Sequence, residues 1–539
     1  MSSPANPQPA APSIARSAFL VATAILLSRI SGLVRGRILA RYFGLSYAAD
    51  AFAAAMRIPN ILQNLFGEGV LSASFIPVYA RLLAEDKKDD AGRVAGAVFS
   101  LLALVTSLLV LAGVLATPWL IALIAPGFRG ETRQLTIELV RIFFPGVGLL
   151  VLSAWCLGIL NSHRRFFLSY ASPIVWNATI VVALLASGRH VSMSQLAVTA
   201  AWASVIGSAL QFLIQLPFVF RLAPAIRFFF SSISDHVRAV LRNFGPVFIA
   251  RGVAQLSAYI DAFLASYLPT TGAVAALTNA QSLYVMPVSL FGMSISVAEL
   301  PAMSSALGNQ QEVAGMLRQR IAASTRRIAF FVVPSAVAFL ALGDLIAGAV
   351  YQNAMFTQAD TNYVWGILAG SAVGLVAATI GRLYSSSYYA LRDTRTPLRF
   401  AIVRVALTTV LGCLFALPRG APLIPALLGI DARWGAAGLT ASAGFAAWLE
   451  FLLLRQGMRQ RIGSVEIPLA YFAKLWASAV LAAGLGWGLR LAFHLQRPIV
   501  SAFVILLPYG LAYLGLTTVM GIDQAGNLAR RFWKAGKRL

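Results

Sequence analysis

Four arginines, Arg29, Arg35, Arg57 and Arg251, lie inside stretches of sequence apolar enough to enter a bilayer. The first two sit in "LLSRISGLVRGRILARYFG", where Arg37 and Arg41 follow and read as interfacial residues whose charged ends snorkel. A guanidinium is planar, always charged and forked, so it matches the oxygens of phosphate and diphosphate through paired hydrogen bonds. One such group at a bilayer centre costs about 2.5 to 3.5 kcal/mol, and four together cost on the order of 10 kcal/mol. These side chains line a wet cavity, pair with acids, or reach the interface.

The spacing in the second apolar stretch helps to choose. Asp50, Arg57, Asn64 and Glu68 are separated by 7, 7 and 4 residues. At about 100° per residue they fall within roughly 40° of one another and form one polar stripe, which Pro59 bends without erasing. Two readings of Arg57 stay open: a cavity-lining cation, or a structural pair with Asp50 or Glu68. Arg29 and Arg35 are six residues apart and diverge by about 120° on a straight helix. Gly32, with Ser28 and Ser31 beside it, offers a bend that turns both into one cavity. The first stretch contains no acid, so across the first two stretches arginine outnumbers carboxylate and the cavity is expected to be cationic. Its guest is expected to be anionic and phosphate-bearing.

The elements that position these residues are membrane helices. The 539 residues are 59% hydrophobic and 12% charged, with a mean hydropathy of +0.77, which excludes a water-soluble globular protein. A net charge of +24 invites a nucleic-acid reading, but the basic residues fall in short clusters between apolar runs, which is the pattern of topology signals and implies no nucleic-acid partner. Cys156 and Cys413 lie far apart in separate apolar runs and read as packing residues, with no disulfide or metal-ligand spacing.

By the rule of about 20 apolar residues per span, fourteen spans are expected in an all-α integral membrane fold, the second centred near residue 65 and the eighth near 290. Lys and Arg concentrate in alternate connections, about 27 against 8, which places both termini in the cytoplasm. "LFGEGVLSASFIP" in the second span and "LFGMSISVAELP" in the eighth share LFG, small residues and a closing Pro, with Pro59 and Pro287 upstream. Leu160 and Leu391 give a fainter echo, each preceding a short basic stretch. Motifs six spans apart imply two parallel repeats of six helices each. The expected organisation is a disordered tail over 1–16, an N-lobe over 17–225, a C-lobe over 238–460, an extra helix pair over 465–522 and a basic tail over 523–539, with the cleft between the lobes as the substrate's place.

The stretches "SRISGLVRGRILARYFG", "DAFAAAMRIPNILQNLFGEG" with "SASFIPVYA", "SLFGMSISVAELPAMS" and "YALRDTRTP" resemble the MurJ (MviN) family of lipid II flippases, in the multidrug/oligosaccharidyl-lipid/polysaccharide exporter superfamily. The resemblance covers spans one to eleven in order. It implies fourteen helices in two lobes, alternating access through a cationic central cavity, and a groove for the undecaprenyl tail formed by the last two helices. It implies lipid II, or a similar undecaprenyl-pyrophosphate glycolipid, as substrate, residence in the bacterial cytoplasmic membrane, function as a monomer, and cell-division or elongation machinery as possible partners. Arg29 and Arg35 match the family's first-helix arginines, and Asp50 and Glu68 its second-helix acids. Two family arginines fall on Gln63 and on Ser282 beside Gln281. Either the cavity lacks two phosphate ligands and takes another substrate, or Arg57 and Arg251 replace them, with Tyr259 and Asp261 beside Arg251 as the candidates for a second-lobe contribution.

Rival classes are weaker. An antiporter of cationic drugs wants acids where the first span has arginines. His163, His190, His236 and His494 form no metal-ligand pattern, no phosphate-binding glycine loop for ATP is present, and no connection is long enough for a catalytic domain. No cofactor and no enzyme activity are expected. A flippase for another undecaprenyl-pyrophosphate glycan, of the O-antigen type, and a non-transporting cell-wall scaffold stay open as alternatives.

Overall fold

The computed structural model describes residues 14–66, 71, 74–188, 190–226, 235–296, 299, 303, 310–391, 393–416, 425, 427, 429, 431–493 and 495–526. Among them the secondary structure is helical: α1 (Ile14–Phe43), α2 (Tyr47–Phe66), α3 (Ile76–Ala84), α4 (Lys88–Ile124), α5 (Gly130–Ser162), α6 (Phe166–Ala171), α7 (Pro173–Ser187), α8 (Met193–Leu222) and α9 (Asp235–Ala265). Then follow α10 (Ala273–Pro287), α11 (Gln310–Ala341), α12 (Gly343–Tyr351), α13 (Gln358–Ala390), α14 (Arg395–Ala416), α15 (Gly435–Ile462), α16 (Leu469–Ala492) and α17 (Pro498–Val519).

Eleven helices among the described residues are long and apolar enough to cross a membrane. The other three expected spans fall on α1, α2 and α9, of 30, 20 and 31 residues. These three carry Arg29, Arg35, Arg57 and Arg251, so the count of fourteen depends on the helices that hold the charges. The description of α2 runs to Phe66, and α3 starts at Ile76 with Pro77 in its first turn, where a missing N–H does no harm. The second LFG motif sits in a π-helical turn, Val288–Met293, that continues α10.

The chain divides into two compact units, one of residues 1–42, 51–123 and 129–256, the other of 43–50, 124–128 and 257–539. In the first, Phe75, Tyr79, Leu82, Val94, Trp155 and Ile159 belong to one buried core. Trp155 Nε1 donates to the Ala95 carbonyl at 3.0 Å, which gives a buried indole its needed acceptor. A second polar knot joins α5 and α8, where Gln215 Nε2 donates to Ser153 Oγ at 2.6 Å and Gln211 Nε2 to the same oxygen at 3.1 Å.

The second unit is built on close backbone approach. Gly366, Gly370 and Gly374 recur every fourth residue along one face of α13, and a Cβ on them would meet Trp434, Ala437 and Gly444 respectively. Small residues at this spacing are what lets membrane helices touch. The approach brings Thr440 Oγ1 within 2.8 Å of the Ile367 carbonyl and Trp448 Nε1 within 2.8 Å of the Val373 carbonyl.

The last two helices dock on α11 by a similar logic. Pro334 interrupts α11 and brings no N–H, which deprives the Phe330 carbonyl of its intrahelical donor. Tyr513 Oη donates to that carbonyl at 2.7 Å, and Tyr509 Oη donates to the Pro334 carbonyl at 2.7 Å. Tyr471 Oη reaches the Arg326 carbonyl at 2.8 Å. Acceptors 326, 330 and 334 lie one turn apart on a single face, so three tyrosines read one ridge.

Candidate functional site

The first-helix arginines can now be placed. Through Gly32 the helix α1 continues unbroken from Ile14 to Phe43. Its outer face is exposed at Ile25, Leu26, Ile30 and Val34, and Arg29 is exposed among them. Arg29 makes no ion pair among the described residues. Arg35 lies on the other side, half-buried, with its guanidinium carbon 4.6 Å from the ring centroid of Trp176 on α7. The expected bend at Gly32 is therefore not what sets these two residues. A separation of about 120°, the value for a straight helix, is what their different exposures reflect.

The seat of Arg35 is built from hydrogen bonds beneath it. Ser31 Oγ donates to the Ser28 carbonyl at 2.8 Å and accepts from Asn177 Nδ2 at 2.8 Å. Trp176 Nε1 donates to Ser204 Oγ at 3.0 Å and to the Ser204 carbonyl at 3.1 Å, so the indole is fixed by α8 before the cation meets its face. At Gly188, a Cβ would collide with the Tyr42 ring, which shows how closely the end of α7 meets the end of α1. A desolvated cation over an indole gains about 2 kcal/mol and keeps its charge. Chemically the cluster sets a guanidinium on the face of an indole whose own helix carries a buried amide. Asn177, buried at 5% exposure, was not read from the sequence as a site residue; its signal was an amide inside an otherwise apolar run.

The polar stripe of α2 does not behave as one surface. Asp50 is buried and has a different partner from those expected. Its two carboxylate oxygens accept the N–H groups of Gly272, at 2.7 Å, and Ala275, at 2.9 Å. Asp50 thus caps the start of α10, where unsatisfied N–H groups and the helix dipole favour a negative charge. This anchoring role was not read from the sequence, which offered Asp50 as a partner of Arg57. Gly272 has φ +86° and lies against Leu45, a backbone that lets the loop close around the carboxylate. Arg57 and Gln63 are half-buried and Asn64 is exposed. Glu68 lies outside the described residues, as does the side chain of Arg251.

In the second unit Tyr259 and Asp261 are half-buried on α9, Gln281 is half-buried and Ser282 is exposed on α10, its hydroxyl donating to the Thr278 carbonyl at 2.9 Å. The sequence reading missed a different arginine there. Arg404, about 14 Å along α14 at 1.5 Å per residue, pairs with Glu450 of α15 at 3.0 Å, with the carboxylate 13% exposed. The lone acid of "FAAWLEFLLL" was its visible signal.

Against known proteins, the family model described as "Lipid II flippase MurJ" matches residues 39–509. A Burkholderia cenocepacia protein named lipid II flippase MurJ is 30% identical over 529 residues, covering 95% of this chain and 98% of the relative. A probable lipid II flippase MurJ of Rhizobium tropici is 31% identical over 411 residues, 75% of each chain. Among solved structures, a lipid II flippase MurJ in an inward closed conformation superposes with a TM-score of 0.76 at 25% identity, over 94% of this chain and 99% of the other. An inward-facing multidrug resistance MATE family transporter of the MOP superfamily gives 0.64 at 17% identity, over 82% and 98%, a likeness of fold alone. With the match extending from the end of α1 into α17, this chain belongs to the lipid II flippase MurJ family.

Proposed function

We propose that this protein is a lipid II flippase, moving the undecaprenyl-pyrophosphate-linked peptidoglycan precursor from the inner to the outer leaflet of the bacterial cytoplasmic membrane. The observation that carries the reading is the family match over residues 39–509; the seating of Arg35 on Trp176 supports it chemically. In this reading both termini are cytoplasmic and the chain works as a monomer. Arg35 meets the diphosphate as a preset cation, and Arg29, exposed six residues earlier on the same helix, joins it. Arg57 assists, while the prenyl chain stays in lipid. The two compact units then alternate access by rocking about the cavity. Contact with division or elongation machinery belongs to the same reading.

Complementation tests it. A bacterium depleted of its own lipid II flippase should grow when supplied with this chain and fail with Arg35→Glu or Arg29→Glu at equal membrane abundance. Full rescue by either charge reversal sinks the residue assignment. Failure of the unaltered chain, with rescue of a strain lacking an O-antigen flippase, moves the substrate to another undecaprenyl-pyrophosphate glycan.

A further inference from the structure

At the end of α15 the second unit has a basic hollow. It is lined by Tyr384, Arg455, Gln456, Arg459, Gly463 and Ser464, with Leu452 and Val465 at its edge, and encloses about 730 Å³, part of it open to solvent. Arg455 and Arg459 are one turn apart on the same face of α15. Gly463, at φ +88°, ends the helix and turns the chain back past them. Arg318 arrives from α11: a methyl group added at Gly463 would stand 2.7 Å from its guanidinium nitrogen.

Three carboxylates of the second unit are paired with other arginines. Asp393 pairs with Arg461 at 2.5 Å, Glu299 with Arg320 at 3.1 Å and Glu450 with Arg404 at 3.0 Å. Among the described residues Arg318, Arg455 and Arg459 make no ion pair, and neither does Glu466, which follows the hollow. The dipole at a helix C-terminus accounts for cations in the last turn. It accounts neither for a third guanidinium from another helix nor for a concave wall with an amide and a hydroxyl.

Depth points to the ligand's chemistry. The 28 residues of α15 extend about 42 Å at 1.5 Å per residue, against about 30 Å of hydrocarbon. Where α15 enters the hydrocarbon at Gly435, just after the exposed pair of Asp431 and Arg433, Arg455 stands about 30 Å further on, at the opposite edge, and Arg459 a turn beyond it, at the level of lipid phosphates. We propose that the hollow binds a phosphate group through Arg455, Arg459 and Arg318. Its chemistry is shared by an anionic lipid headgroup and by soluble phosphate.

The test titrates the purified full-length chain, in neutral detergent, with dihexanoyl phosphatidylglycerol, inorganic phosphate and, as a zwitterionic control, dihexanoyl phosphatidylcholine. The double substitution Arg455→Gln with Arg459→Gln should weaken at least one of the first two probes by about tenfold or more, the loss expected for charge-assisted hydrogen bonds, and leave the control unchanged. Loss of the lipid probe alone identifies a headgroup site, and loss of inorganic phosphate identifies a soluble-anion site. Ser464→Asp, at an exposed position outside the helix, should weaken the same probe and answers the question if the double variant does not fold. Undiminished binding of both anionic probes to the variants, or no binding of either to the unaltered chain, overturns the proposal.

Discussion

The two compact units handle charge differently. In the second, the ion pairs include carboxylates with little solvent: Glu299, Glu450, Asp393 and Asp344 are 17%, 13%, 15% and 5% exposed opposite their arginines. In the first, the ion pairs among the described residues lie in the exposed segments 81–93 and 235–238, with acids between 34% and 97% exposed. Exposed pairs of that kind contribute about 0 to 1 kcal/mol. Arg35, by contrast, sits on an aromatic face and Arg29 faces outward. The second unit uses several of its arginines to hold helices together, and in the proposed reading the first unit supplies the cations that meet an anionic guest.

Breaking the anchors of the second unit should cost stability in a definite order. Asp50→Ala has the largest expected effect, because it strands two buried N–H donors, each costing about 1 to 3 kcal/mol; Asp50→Asn should recover part of the loss, and thermal unfolding in detergent reads both. An Asp50→Ala chain as stable as the original removes the anchor from the account. Next comes the pair of Arg490 with Asp344 at 2.8 Å. Arg490→Ala leaves a buried carboxylate alone, a change worth about 3 to 5 kcal/mol for fully buried pairs and less here, where the arginine is 36% exposed. Substituting both by Leu should restore most of it, and a double variant no better than Arg490→Ala would show that the charges themselves are required. Tyr513→Phe frees the Phe330 carbonyl and should cost about 1 kcal/mol, more than the same change at Tyr471, which serves a carbonyl with its own helical donor.

The smallest effect depends on pH. Asp393, in the turn between α13 and α14, accepts the Thr396 hydroxyl at 2.6 Å, the N–H groups of Arg395 and Thr396 at 3.0 Å each, and the Arg461 guanidinium. The Thr396 hydroxyl first, then its N–H and Arg461, outweigh desolvation and hold the carboxyl down at about 2. A lowered folded-state value means the stabilisation is complete above the ordinary carboxylate range near 4 and disappears as pH falls from there through 2. The difference in melting temperature between the original chain and Asp393→Asn should be flat above about pH 5 and shrink toward pH 2. A difference that persists at pH 2 contradicts the linkage.

How much of this the sequence disclosed depends on whether a signal was local. Arg35 was legible because a charge in an acid-free apolar run has to be explained by position alone. Its platform was not, because Trp176 and Asn177 come from a helix about 140 residues away in sequence and look like ordinary members of an apolar run. The partners of Asp50 were hidden for the same reason. Helical spacing puts it in line with Arg57, and nothing in that spacing reveals N–H groups more than 220 residues further on. The four-residue glycine repeat of α13 and the single acid of α15 were present as patterns, yet each has meaning only once its partner helix is known. The Pro334 interruption needed Tyr513 to be seen as its complement.

The central claim is that the anionic head group is handled by cations of the first unit and not by the paired arginines of the second. Translocation of labelled lipid II in vesicles containing the purified chain measures it most directly, comparing Arg35→Gln with the paired change Arg404→Gln and Glu450→Gln. The account predicts a loss of about tenfold or more for Arg35→Gln, on the scale of a charge-assisted hydrogen bond, and near-original rates for the paired change in protein that remains folded. Equal rates for Arg35→Gln and the original chain, or a collapse confined to the Arg404 and Glu450 change, would contradict it.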